Sequence, residues 1–116
     1  MDEIIRKKIE NIIQSRKEAH DFYSKSSGVY RSFLNMEAKA FEEDVLSKGQ
    51  KELIAIGISV IVNCESCLEW HIKKAFEADM TKEQIVAAIG VAIEMGGGPA
   101  TVASRFAMYV LEYYTE

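Results

Sequence analysis

Apolar residues return at three- and four-residue steps along nearly the whole chain. Ile5, Ile9 and Ile12, then Ala19 and Tyr23, mark the first such stripe, with Lys, Arg and Glu between them. That is the period of an α-helix that buries one face. Nowhere do apolar and polar residues alternate in a run bounded by turn residues, so nothing reads as a strand. Ser26-Ser27-Gly28 breaks the first helix, and Val29 to Leu46 reads as a second, carrying the acidic cluster Glu42-Glu43-Asp44. Ser47 with Gln50 fits a capping box, in which the hydroxyl caps a helix start and the amide reaches back. The helix it opens extends from about Lys48 to Val62, and Asn63 stands where it can cap the next, which runs to about Asp79. Thr81 with Gln84 makes a second capping box, for a helix ending at Gly96-Gly97-Gly98. Pro99 suits the first turn of the last helix, where Val102, Phe106, Tyr109 and Tyr113 form a stripe. The expected fold is all-α, a compact bundle of about six helices in one domain over residues 1–116.

Composition narrows the function classes. Fourteen basic against eighteen acidic residues give a net charge of −4 without any basic cluster, which argues against nucleic acid or an anionic membrane as partner. The longest apolar stretch, Leu53 to Val62, is far shorter than the roughly 20 residues of a membrane-spanning helix. The opening MDEIIRKKIEN lacks the apolar core of a secretory signal, so a cytoplasmic location is expected. Beyond Glu52 the third helix is apolar on every face, and such a helix must be covered on every side. A domain this small covers it with difficulty. Trp70, on the polar side of its helix beside Ser66, Lys73 and Glu77, suggests a contact surface. Together these predict a homo-oligomer. Met36, Met80, Met95 and Met108 read as packing residues, His20 as a surface residue, and Gly96-Gly97-Gly98-Pro99 as a tight interhelical turn.

The chain has two cysteines, Cys64 and Cys67. A pair three residues apart closes almost no loop, so it suits redox or metal chemistry better than stapling a fold. Cys64, Cys67, Leu68, His71, Ile72 and Ala75 share one stripe of their helix, while Glu65, Ser66, Glu69, Lys73 and Glu77 are expected to face away. Cys67 and His71 are neighbours on adjacent turns. Cys64 stands at the helix N-terminus, where free N–H groups favour a thiolate. If the helices on either side of Asn63 form a hairpin, Glu52 lies about 16 Å back from the bend and His71 about 11 Å beyond it, at 1.5 Å per residue. Side chains can span that difference. A lone carboxylate on an apolar helix needs a partner, and a relay Glu52–His71–Cys67 follows. The carboxylate orients the imidazole, the imidazole takes the thiol proton, and the thiolate acts as nucleophile, with Cys64 resolving the oxidised Cys67 as a disulfide. The bland alternative is two small buried hydrophobes and a satisfied core histidine. Zinc is disfavoured, because three ligands would crowd one helix where structural zinc sites combine separated pairs. No metal and no flavin are implied.

The segment ELIAIGISVIVNCESCLEWHIKKAFEADMTKEQI resembles the carboxymuconolactone decarboxylase-like family, specifically its alkylhydroperoxidase D (AhpD)-like branch. The shared pattern, E-x11-C-x2-C-x3-H, is met by Glu52, Cys64, Cys67 and His71, and GGGPA at Gly96 to Ala100 is also similar. The likeness covers roughly Leu46 to Glu112, the N-terminal helices matching only in kind. It implies an all-helical trimer or hexamer in which the second cysteine attacks a peroxide and the first resolves it. In the peroxidase branch a histidine stands just before the second cysteine, where this chain has Ser66. The expected activity is that of a hydroperoxide or disulfide oxidoreductase of the peroxiredoxin type, restored by an external dithiol or redox protein. The alternatives are a 4-carboxymuconolactone decarboxylase-like lyase, disfavoured because that branch lacks the redox pair, and a non-catalytic oligomeric binding protein.

Overall fold

The computed structural model describes residues 1–116 and contains six α-helices and no strand: α1 (Glu3–Ser26), α2 (Gly28–Ala40), α3 (Lys48–Ile61), α4 (Glu65–Glu77), α5 (Lys82–Gly96) and α6 (Gly98–Thr115). Five of the six starts have a side-chain cap. Asp2 accepts from Ile4 and Ile5, Ser27 from Tyr30, and Ser47 and Thr81 form the two expected capping boxes with Gln50 and Gln84. Cys64 caps α4. The sixth, α6, starts behind Gly97, whose φ of 66° and ψ of −147° fall in a region essentially reserved for glycine.

Helix α3 packs on α4 and α5, α4 and α5 both pack on α6, and α1 lies across α4 and α6 with α2 folded against it. The core is drawn from all of these except α2: Ile9 of α1, Ile56 and Val60 of α3, Leu68, Ile72 and Ala75 of α4, Ile85 and Ile89 of α5, and Ala107 and Val110 of α6. No helix is long and apolar enough to cross a membrane.

Several expectations are corrected in detail. Helix α2 stops at Ala40, so Glu42-Glu43-Asp44 lies in the link to α3, where Asp44 pairs with Lys51 at 2.8 Å. Backbone hydrogen bonds and Lys51 hold the Asp44 carboxyl below its ordinary pKa. The buried side of α6 is Phe106, Ala107, Val110 and Leu111, with Val102 left exposed. Of the four methionines, Met80 packs against the core, whereas Met36, Met95 and Met108 are exposed. His20 is exposed, as expected, and its Nδ1 lies 2.9 Å from the Tyr30 hydroxyl. Helix α3 buries Glu52, Ile56, Ser59 and Val60, yet Ile54, Ile58, Ile61 and Val62 are each at least half exposed. The single chain therefore leaves one side of this apolar helix open.

Candidate active site around Cys64 and Cys67

The capping box at Ser47 fixes where α3 begins, and with it which side chains face α4. Glu52 falls on that inner side and is buried. At the other end of α3 the chain reverses through Asn63, whose φ of 54° is left-handed, a conformation asparagine tolerates better than most residues. Asn63 is thus the turn residue, and the cap expected of it passes to Cys64. The Cys64 Sγ accepts from the Cys67 N–H at 3.1 Å.

Cys64 and Cys67 are joined by a disulfide, their Cα atoms 5.2 Å apart. Both are half-buried, whereas Leu68, Ile72 and Ala75 on the same stripe go fully into the core. One turn beyond Cys67, His71 Nδ1 lies 2.7 Å from Glu52 Oε1. The direct contact uses the side-chain reach that the rise per residue leaves open. A carboxylate oxygen only accepts, so Nδ1 is the donor in this bond, and in the neutral ring that puts the lone pair on Nε2. The imidazole is held on a second side by Phe41, which closes α2 and stacks on it with ring centroids 5.4 Å apart. Phe41 has no local sequence signal, because it reaches the site only where the chain leaves α2. Glu52, His71, Phe41, Trp70, Leu34 and Lys74 contribute to the wall of a pocket of about 350 Å³; the cysteines stand outside that wall.

Two residues of α4 depart from the expected outward face. Glu69 has no exposed surface at all. Its Oε1 lies 2.5 Å from Arg16 Nη2 of α1, and its Oε2 accepts from the Tyr114 hydroxyl of α6. Burial first, and the Glu69 carboxylate second, push the Tyr114 hydroxyl well above the usual phenol pKa. Trp70 is only half-buried, but it is no isolated surface aromatic. The cationic heads of Lys74, Arg16 and Lys73 lie 4.5, 5.1 and 5.7 Å from its ring.

Residues 27–109 match the model of the carboxymuconolactone decarboxylase family. A Paracoccus denitrificans protein named "Uncharacterized protein 4 in cox locus" is 37% identical over 81 residues, covering 70% of this chain and 73% of that protein. The Cupriavidus necator protein H16_B0147 is 31% identical over 83 residues, covering 72% and 71%. Among solved structures, a carboxymuconolactone decarboxylase family protein from Legionella pneumophila superposes with a TM-score of 0.86 at 24% identity, over 94% of this chain and 98% of its own. The Thermotoga maritima protein TM1620 superposes at 0.83 and 22% identity, over 90% and 93%. These two likenesses bear on the fold.

Proposed function

We propose that this chain, which belongs to the carboxymuconolactone decarboxylase family, is a thiol-dependent oxidoreductase of the AhpD-like type, acting on hydroperoxides or exchangeable disulfides. The observation that carries the reading is the 2.7 Å bond between His71 Nδ1 and Glu52 Oε1, one helical turn from a cysteine pair close enough to bond. An imidazole oriented in this way presents Nε2 as a base.

In the reduced protein, His71 takes the proton of Cys67. The thiolate attacks the outer oxygen of a hydroperoxide; the O–O bond breaks, an alcohol leaves with a proton, and Cys67 becomes a sulfenic acid. Cys64 then attacks the Cys67 sulfur, displaces hydroxide, which leaves as water, and closes the disulfide. Two electrons and two protons from an external dithiol or redox protein reopen it. Glu52 keeps the imidazole in its productive orientation throughout. The chemistry needs no metal or flavin. The cytoplasm supplies such dithiols, and the open side of α3 is the surface through which copies of the chain assemble into a trimer or hexamer.

The test is to treat the fully reduced protein with one equivalent of an organic hydroperoxide and follow its intact mass. Loss of two hydrogens within seconds is expected, with an added oxygen in Cys64→Ser and no change in Cys67→Ser. A wild type that stays reduced overturns the peroxidase activity and leaves disulfide exchange.

A further inference from the structure

Ser66, which stands between the two cysteines, is gripped from α1. Arg16 Nη2 lies 3.0 Å from the Ser66 carbonyl oxygen and 3.3 Å from Ser66 Oγ, across 50 residues of sequence. The same nitrogen reaches Glu69 Oε1 at 2.5 Å, and the other Glu69 oxygen accepts from Tyr114 of α6. Glu69 is completely buried. Its Oε1 has no hydrogen-bond partner, so the ion pair with Arg16 alone compensates that oxygen. A buried charge needs such a counter-ion, and here three helices meet on it. We infer that Arg16, anchored by Glu69 and Tyr114, is a positioning residue for the cysteine pair: it fixes the first turn of α4 and so sets how readily Cys64 and Cys67 close into a disulfide. This rests on the reading that the pair cycles between dithiol and disulfide.

The first turn of a helix lacks hydrogen-bonding partners on its upstream side and opens more easily than the interior. Cys64, Ser66 and Cys67 all lie in that turn. Closing a bond within one chain is favoured in proportion to how firmly the two groups are held in reach of each other. Loosening the turn therefore weakens the disulfide, while the open dithiol tolerates it. The positive charge of Arg16 acting alone would favour a thiolate and so the reduced state. The Glu69 carboxylate at 2.5 Å offsets that charge, so the positional effect decides the sign.

The experiment equilibrates the protein with glutathione buffers of graded ratio. One glutathione disulfide takes two electrons and two protons from the dithiol and becomes two glutathione thiols. Trp70, the chain's one tryptophan, reports the state by fluorescence, checked by acid quench, alkylation and mass. Arg16→Gln and Glu69→Gln are expected to lower the equilibrium constant for disulfide formation about tenfold, which is about 30 mV for this two-electron couple. Arg16→Lys should recover part of the shift, and Lys17→Gln, on the exposed side of α1, none of it. Tyr114→Phe, a milder change, should shift the constant about threefold in the same direction and serves if the other variants do not fold. Folded variants that keep the wild-type constant while losing only thermal stability overturn the inference. A wild-type pair that neither opens nor closes at any glutathione ratio overturns the redox reading itself, and this inference with it.

Discussion

Cys64 Sγ accepts a hydrogen bond from the Cys67 N–H at 3.1 Å, so the two cysteines are linked through the helix backbone as well as through sulfur. The bond gives them different chemistry. As the N-cap of α4, Cys64 meets a free N–H and the positive end of the helix, both of which stabilise a thiolate there. A better-stabilised thiolate is the better leaving group in thiol–disulfide exchange. An external thiol should therefore attack Cys67 and release Cys64. Adding dithiothreitol to the oxidised protein with a fast alkylating agent present should leave the alkyl group on Cys64, as peptide mass mapping would read. Predominant alkylation of Cys67 would reverse the assignment.

The Glu52–His71 bond predicts graded losses. Removing the base in His71→Ala should slow the reaction of Cys67 with a hydroperoxide by about 10²- to 10⁴-fold. Glu52→Gln keeps a partner for the ring but loses the carboxylate, so its loss should be smaller, about tenfold. Single-turnover oxidation followed by Trp70 fluorescence measures both. Wild-type rates in His71→Ala would remove His71 from the chemistry.

Sequence and structure agree where the determining chemistry is local. Ser47 with Gln50 and Thr81 with Gln84 are self-contained capping devices, and both form. Glu52 and His71 were also within reach of sequence reading, because a hairpin and a fixed rise per residue bring two helix positions to one level. The buried Glu69 was not. A helical wheel gives α4 a single inner face, towards α3, but α1 and α6 cover its other side. The partners of Glu69 lie 53 residues before it and 45 after it, at Arg16 and Tyr114, and no local pattern encodes such a meeting. The early end of α2 was hidden for a similar reason. No glycine or proline marks Ala40, and the chain leaves the helix there to bring Phe41 onto His71.

Tyr114 ties the Glu69 carboxylate to a pH dependence. Its pKa in the folded protein is raised above the ordinary value of 10.0. The folded state therefore holds the phenol proton more tightly than the unfolded chain. The contribution is complete below pH 10 and is lost as pH rises from there towards the folded pKa. Urea unfolding between pH 8 and 11 should show wild-type stability falling more steeply above pH 10 than that of Tyr114→Phe. At pH 7 the variant should be less stable by about 1–3 kcal/mol, because a buried carboxylate oxygen loses its donor. Parallel curves for the two proteins would contradict the assignment.

Gly97 makes the link between α5 and α6 possible. Nothing crowds the space where a Cβ would stand, so the constraint is conformational, not steric. Gly97→Ala should cost about 1–3 kcal/mol, from holding a residue with a side chain in a backbone region that glycine alone visits readily. Gly98→Ala, one residue on, also meets open space and has no unusual φ, so it should be nearly neutral. Chemical denaturation of the two variants side by side checks the contrast.

Ile54, Ile58 and Ile61 line one side of α3, each half exposed or more, opposite the buried Ile56 and Val60. Leaving them in water forfeits the gain of about 25 cal/mol per Å² of apolar surface that burial brings. A stable interface usually covers about 800 Å² on each partner, more than one helix face, so neighbouring surface must join it. A charge at the centre of the stripe should then oppose assembly, since a buried carboxylate without a partner costs several kcal/mol. Sedimentation is expected to show the wild type as a trimer or hexamer and Ile58→Glu shifted towards the 13.1 kDa single chain. Lys82→Glu, an exposed change at the start of α5, should leave the assembly intact. A wild type that sediments as a single chain at high concentration would show that the open side of α3 is not an interface between copies.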